Sequence, residues 1–381
     1  MSQFDILIVG AGIAGASLAW SLMQRAPGLK LLILEAESQP GYHTTGRSAA
    51  FYAETYGGPT VQPLTSASKR FFQRPPKGFS DTAILSPRGA LHIRHADAPG
   101  TLAALEAEFE HGHVAHQRLG REGILNKVPF LREEWSQTAI WEPGCSDIDV
   151  AVLHQSYLRG ARQAGAVLAT DARTQAISHT RGEWKVETSA GEFRARTLVN
   201  AAGAWADEVA AQAGVQPIGV QPIGVQPLRR TIVVTEVRPD APADLPVVMD
   251  AGGSLYFKPD AGRLWISPHD ETPDTPHDVQ PDEMDMAIAL DRFEHMCDWP
   301  IRRLASKWAG LRNFAPDRLP VLGPDPAEPA FHWCAGQGGW GIQTAPACGA
   351  IGAGLLLGLA VEADYAGIDV SPYAPARFAT A

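Results

Sequence analysis

Only four cysteines occur in 381 residues (Cys145, Cys297, Cys334 and Cys348), and no CxxC or zinc-like spacing joins them. A disulfide scaffold and a structural metal are therefore not expected, and the thiols read as buried or incidental ones of a reducing compartment. Long apolar runs are also missing. The longest, ACGAIGAGLLLGLAV (347–361), is too short and too rich in small residues for a membrane span. No Lys/Arg run offsets the net charge of −10, which makes nucleic acid a poor partner. MSQFDILIVG starts in a strand pattern, without the basic segment and cleavage site of a signal peptide. HGHVAH (111–116) lacks a carboxylate or Cys partner and reads as exposed histidines, and DETPDTPHD (270–278) as a polar, Pro-broken loop. A cytoplasmic protein with no metal is expected, with peripheral contact to the inner membrane face left open.

With 45% hydrophobic residues the chain can bury a large core, in one large or two interleaved domains. FDILIVG (4–10) is a continuous run suited to a strand buried on both faces. GAGIAG and a helical period over 16–26 follow, then a second strand, LLILEAE (31–37), which carries Glu35. The three glycines serve different ends. Gly10 permits the tight turn, Gly12 lets backbone approach a pyrophosphate, and Gly15 allows close helix–strand packing. The helix N-terminus offers free N–H groups to phosphate, and Glu35 is placed to accept from a ribose. This order predicts a dinucleotide site, and the acid favours NAD or FAD over NADP. SQPGYHTTGRSAAFY then breaks the strand–helix alternation with an irregular loop of small residues, where Arg47 could meet a phosphate or a flavin oxygen. Such a loop suits close approach to a flat, bulky ring system, which favours FAD.

Further along, GALHIRHA (89–96), RRTIVVTEV (229–237) and SLYFKP (254–259) read as strands. LAALEAEFEHG (102–112) and LHQSYLRGARQAG (153–165) read as helices, and 182–203 as strand, turn and strand. GQGGWGIQTAPACG (336–349) is a glycine loop running into a helix of small residues.

GAGIAG, Glu35, HTTGRSAA, VNAAGAWAD (199–207), WAGLRNFAPD (308–317), LPVLGPDP (319–326), GQGGWGIQTAPACG and SPYAPARF occur in that order. Together they resemble the FAD-dependent D-amino-acid oxidase superfamily over nearly the whole chain. Within it the likeness leans toward bacterial D-arginine and broad-specificity D-amino-acid dehydrogenases. The resemblance implies an α/β fold. A Rossmann-like FAD-binding domain (1–80, 145–222, 308–381) would interleave with an α+β, mixed-sheet substrate domain (81–144, 223–307). It implies noncovalent FAD held at Gly10, Gly12, Ile13, Ala14, Gly15, Glu35 and Ala36. The opening loop would add Thr44, Thr45, Arg47, Ser48 and Ala49, and the middle of the chain Thr174, Ala201, Ala202, Gly203 and Trp205. Gly310, Gly338, Gly341 and Ile342 would lie by the flavin, with the helix start at Gln343 and Thr344 facing its pyrimidine edge.

For the substrate, the resemblance implies a carboxylate held by Arg312 with Tyr256 helping. Arg229 would stand nearby, although Arg230 could exchange roles with it. Gly339 would offer its carbonyl to the amine, and Tyr56 would be a lid. Ala90 replaces the glutamate that accepts a guanidinium in the D-arginine enzymes, and Phe51 and Ala53 replace a histidine and a threonine. With Val247 and Met249 these define an apolar side-chain pocket, while Glu54 is expected in solvent. The expected activity is oxidative deamination of neutral, fairly large D-amino acids to 2-oxo acids and ammonia. A quinone or other acceptor, O2 included, would take the electrons. The alternatives are a 2-hydroxy-acid dehydrogenase or a secondary-amine or glycine-type oxidase of the same superfamily.

Overall fold

Alternate residues of the first strand, Gln3–Val9, enter two different cores: Ile6 and Ile8 one, Leu7 and Val9 the other. A strand with both faces covered has no solvent side, so its sequence does not alternate. The computed structural model describes residues 3–98, 100–215 and 223–378. Gln3–Val9 pairs in parallel with Leu31–Leu34 and with Gly191–Asn200. Val167–Ala169 and Phe331–Ala335 extend this parallel array at either side. Among the described residues the sheet has eight strands, the others folding back antiparallel.

Helix Ile13–Arg25 crosses this sheet and packs on helix Gly341–Leu357. Small residues allow the approach. A Cβ on Gly349 would fall 2.8 Å from the Ser17 carbonyl oxygen, and one on Gly352 3.0 Å from a Leu18 methyl. No helix among the described residues is long and apolar enough to cross a membrane.

The second sheet has ten strands among the described residues. Near one edge lies the long antiparallel pair Gln226–Val237 and Ile301–Phe314. Arg263–Ser267, Tyr256–Asp260, Val247–Asp250, Ala90–Ile93, Thr138–Glu142 and Gln117–Gly120 follow in order. The one parallel contact in this series joins Val247–Asp250 to Ala90–Ile93, so the sheet is mixed. Helix Glu283–Met296 covers one face through Phe293 and Met296, which pack with Phe257 and Leu264. Ile301–Phe314 runs unbroken through residue 308, where the sequence reading changes domain, and its end pairs with Gln337–Gly338. That pairing brings Arg312 and the glycine loop together. The opening loop forms a 3-10 turn, Thr44–Arg47, and the short strand Phe51–Tyr52. The chain also carries three successive GVQP units in AGVQPIGVQPIGVQPL (213–228), a repeat that falls partly outside the described residues, which omit 216–222.

Candidate active site

The turn after the first strand sets one end of the site. Gly10 has φ +104, and a Cβ there would meet the Ala201 carbonyl oxygen at 2.4 Å. Gly15 touches the turn from behind, since its Cβ would lie 2.0 Å from the Gly10 oxygen. It closes helix onto strand and is not on the cavity wall. From this turn a cavity of about 320 Å³ extends past Glu35 and the opening loop to the glycine loop and Arg312.

Two long helices start on this cavity, at Ile13 and at Gly341, and neither has an acidic residue in its first turn. Their partial positive ends are left for an anionic ligand. Glu35 is held by two backbone donors, Ala11 N–H at 3.0 Å and Glu37 N–H at 3.0 Å, and keeps further lone pairs for a ribose. His43 and Arg173, both 3.1 Å from Glu37, also line this end, and the His43 ring lies 4.6 Å from Trp205. The motif reading missed His43, Arg173 and Glu37. Only their convergence in space marks them. Ala36, Thr174, Ala201, Ala202, Gly203 and Trp205 line the cavity where the sequence placed them.

The small residues of the opening loop have two functions. Thr45 Oγ1 accepts from Ile13 N–H at 3.0 Å, and Thr44 Oγ1 donates to the Leu311 carbonyl at 2.6 Å. The loop is thereby tied to the nucleotide helix and to the arginine strand while its backbone faces the cavity. Arg47 lines the cavity as well, with its guanidinium engaged by protein acceptors. Its guanidinium donates to the Val279 and Ala309 carbonyls, at 2.9 and 3.2 Å, and pairs with Asp278. Those partners tie the opening loop to the loop at 278–279 and to the strand Ile301–Phe314. At the glycine loop, Gly310, Gly338, Gly341, Ile342 and Gln343 line the cavity, whereas Thr344 is buried and donates to the Trp340 carbonyl. Gln343 fixes the segment 53–56, donating to the Tyr56 carbonyl at 2.9 Å and accepting from Ala53 N–H at 3.2 Å.

The other end gathers Arg312, Arg230, Tyr56, Tyr256, Phe51 and the Gly339 backbone. Arg312 is 8% exposed, and its Nη1 donates to the Tyr56 hydroxyl at 3.3 Å. Burial pushes the Tyr256 hydroxyl pKa up, against the pull of Arg230, so Tyr256 stays protonated. Strand alternation decides between the neighbouring arginines. Arg230 faces the cavity, whereas Arg229 points to the opposite face and pairs with Asp285 at 2.9 Å. The expectation for Arg229 is thus corrected to Arg230.

The expected side-chain pocket is also displaced. Ala53, Ala90 and Val247 are buried in a cluster with Cys145, with Met249 packed on it, and none of the four expected residues lines the cavity. Phe51 stands between, its ring 5.5 Å from Tyr56 and 5.9 Å from Tyr256. Glu54 pairs with Lys69 at 2.7 Å. A buried carboxylate does lie opposite Ala90: Glu142, its register partner, which meets His92 at 3.0 Å and Glu54 N–H at 3.1 Å. Both its oxygens are engaged, and it is not on the cavity wall.

Comparison with known proteins agrees with this geometry. The family model described as FAD dependent oxidoreductase (DAO) matches residues 5–355. Mouse mitochondrial dimethylglycine dehydrogenase is 25% identical over 362 residues, covering 89% of this chain but 40% of that protein. The chain thus spans well under half the length of that relative. Hydrogen cyanide synthase subunit HcnC of Pseudomonas protegens is 27% identical, with 100% of this chain and 98% of that protein covered. Glycine oxidase of Geobacillus kaustophilus has the same fold, with a TM-score of 0.84, 22% identity and 99% of each chain covered. These relatives support the superfamily rather than the D-arginine branch that the sequence suggested. Two helix starts, a ribose-placed acid and a cavity continuous with buried arginines fit one dinucleotide, and the chain belongs to the FAD-dependent oxidoreductase (DAO) family, with FAD as its cofactor.

Proposed function

We propose that this protein oxidises the carbon–nitrogen bond of a small amino acid whose carboxylate is held by Arg312 and Arg230. One observation carries the reading: Arg312 Nε and Arg230 Nη2 are buried, belong to cavity-lining side chains and make no hydrogen bond. Buried cationic donors without acceptors are costly, and a carboxylate supplies acceptors for both. The ten-stranded sheet would form the substrate domain and the eight-stranded sheet the FAD domain.

FAD, when bound, supplies the acceptor for the hydride that leaves the substrate α-carbon. The chain's own residues orient the substrate. Arg312 and Arg230 would fix the carboxylate, flanked by the Tyr56 and Tyr256 hydroxyls. A Cβ on Gly339 would fall 2.7 Å from Arg312 Nη1 and 3.2 Å from the Tyr56 hydroxyl, so only glycine leaves room for an amine there. The amine loses its proton to water, and water then hydrolyses the imine to a 2-oxo acid and ammonia or an alkylamine. No side-chain base is required. A 2-hydroxy acid would need one, and among the described cavity-lining residues the histidine is His43, at the Glu37 end.

Phe51 limits the group carried on the α-carbon, which favours glycine or N-methylated glycines; dimethylglycine dehydrogenase and glycine oxidase are among the relatives. Neutral D-amino acids form the second reading, favoured by the apolar cluster directly behind Phe51. A kcat/KM series tests both, with glycine, sarcosine, dimethylglycine, D-Ala, D-Leu, D-Phe and D-Arg, L-enantiomers as controls, and a soluble quinone or O2 as acceptor. The small substrates are expected to exceed D-Leu and D-Phe by at least about tenfold, roughly 1.4 kcal/mol. Phe51→Ala should narrow that gap. A parent enzyme that prefers D-Phe would reject the small-substrate reading, and D-Arg in the lead would place a free carboxylate in the pocket.

The arginine assignment has its own test. Arg230→Met is expected to lower kcat/KM at least about tenfold. Arg229→Met should lower Tm instead, because it strips Asp285 of a partly buried partner. A larger kinetic loss in Arg229→Met would reverse the assignment.

A further inference from the structure

The carboxylate of Glu271 is shared by three arginines. It pairs with Arg312, lies 2.8 Å from Arg318 and 3.5 Å from Arg230, although that last contact makes no hydrogen bond. Arg312 and Arg318 also bracket the Phe314 ring, at 5.1 and 3.9 Å from its centroid. Arg312 and Arg230 are buried, whereas Glu271 is 34% exposed and Arg318 45% exposed. All three contacts converge on one oxygen, Glu271 Oε1, where the buried pair meets the solvent edge.

The chain leading to Glu271 is held in place. His269, two residues earlier, holds φ +57, an uncommon value for a non-glycine residue. Asp270 is anchored, accepting from Thr231 N–H at 2.8 Å and Thr231 Oγ1 at 3.0 Å. Arg230 Nε in turn donates to the Asp270 carbonyl at 2.8 Å. The backbone before Glu271 is thus fixed, while its side chain, held by Arg312 and Arg318, reaches the partly exposed edge of the cluster. Burial works against its charge, yet the hydrogen bond from Arg318 and the nearby Arg312, Arg318 and Arg230 charges hold the carboxyl below its usual range, so it is ionised.

We propose that Glu271 is an internal carboxylate that competes with the substrate's carboxylate for Arg312 and Arg230. Substrate entry then requires Glu271 to withdraw to Arg318. The inference rests on the carboxylate clamp proposed above and adds to it a cost of entry that sets affinity. Glu271 is itself one-third exposed, so part of its solvation survives, its hold on the buried pair is weakened and the exchange stays reversible. Three guanidiniums can hold two carboxylates, because Arg312 Nε and Arg230 Nη2 have capacity to spare. Two carboxylates on the buried pair alone would repel each other at close range.

The test uses the FAD-loaded protein and acetate, a carboxylate with no amine, titrated by perturbation of the flavin absorbance. Glu271→Ala is expected to bind acetate about tenfold more tightly than the parent, and the isosteric Glu271→Gln to tighten it in the same direction. KM for the amino-acid substrate should fall with it. Weaker or unchanged acetate binding in both variants, with Arg312→Met weakening it as the clamp requires, would overturn the exchange and leave Glu271 as a positioning residue. Equal acetate binding by Arg312→Met and the parent would overturn the clamp and the exchange together.

Discussion

Replacing Arg312 by methionine is expected to lower kcat/KM at least about a hundredfold, roughly 2.7 kcal/mol of transition-state stabilisation, while FAD stays bound. Methionine keeps much of the side-chain volume beside Phe314 and removes the charge. The carboxylate then loses its charge-assisted hydrogen bonds, and with them the fixed angle of its α-hydrogen. Arg230 remains and holds the substrate in part, so KM should rise and kcat should fall. Tyr256→Phe should lose less, because a neutral hydrogen bond is weaker than an ionic one. Steady-state kinetics beside the flavin absorbance of each variant read both quantities. Parental kcat/KM in Arg312→Met would move the substrate site elsewhere.

The second large effect is at the nucleotide turn. Gly10→Ala is expected to cut the FAD bound per chain at least about tenfold and to lower Tm sharply. Alanine at φ +104 carries a backbone cost of about 1–3 kcal/mol. Its Cβ would also lie 2.4 Å from the Ala201 carbonyl oxygen, backbone at the end of the neighbouring strand that cannot rotate away. Gly28→Ala is the control: its φ is +89, but nothing lies within 4 Å of the added atom. It should show the backbone cost alone, with FAD retained. Acid precipitation measures the cofactor, since FAD held noncovalently is released into the supernatant. Full FAD content and a parental Tm in Gly10→Ala would remove the turn from the binding site.

The sequence by itself determined the nucleotide end and the class of fold. A strand buried on both faces, glycines at a turn, a helix start and an acid on the next strand are local in the chain, and each restricts its neighbours. Residues 4–37 therefore read directly as structure, and the small-residue helix after Trp340 read directly as a close-packing element. The end around Arg312 was different, because its parts come from strands far apart in the chain. Arg229 and Arg230 are equivalent as text, and only the register of Gln226–Val237 against Ile301–Phe314 sends one inward. Ala90 marked a missing carboxylate, yet Glu142 is its partner across the strand pair Ala90–Ile93 and Thr138–Glu142. The wall expected from Ala53, Val247 and Met249 lies behind Phe51, because two tyrosines from separate segments hold that ring across the pocket. Glu271 lay in a stretch that reads as polar loop, and its meeting with three arginines depends on tertiary packing alone. Local propensity fixes which residues can form a turn or a strand. Which charges share a cavity is decided by strand register and by the packing of one sheet on another.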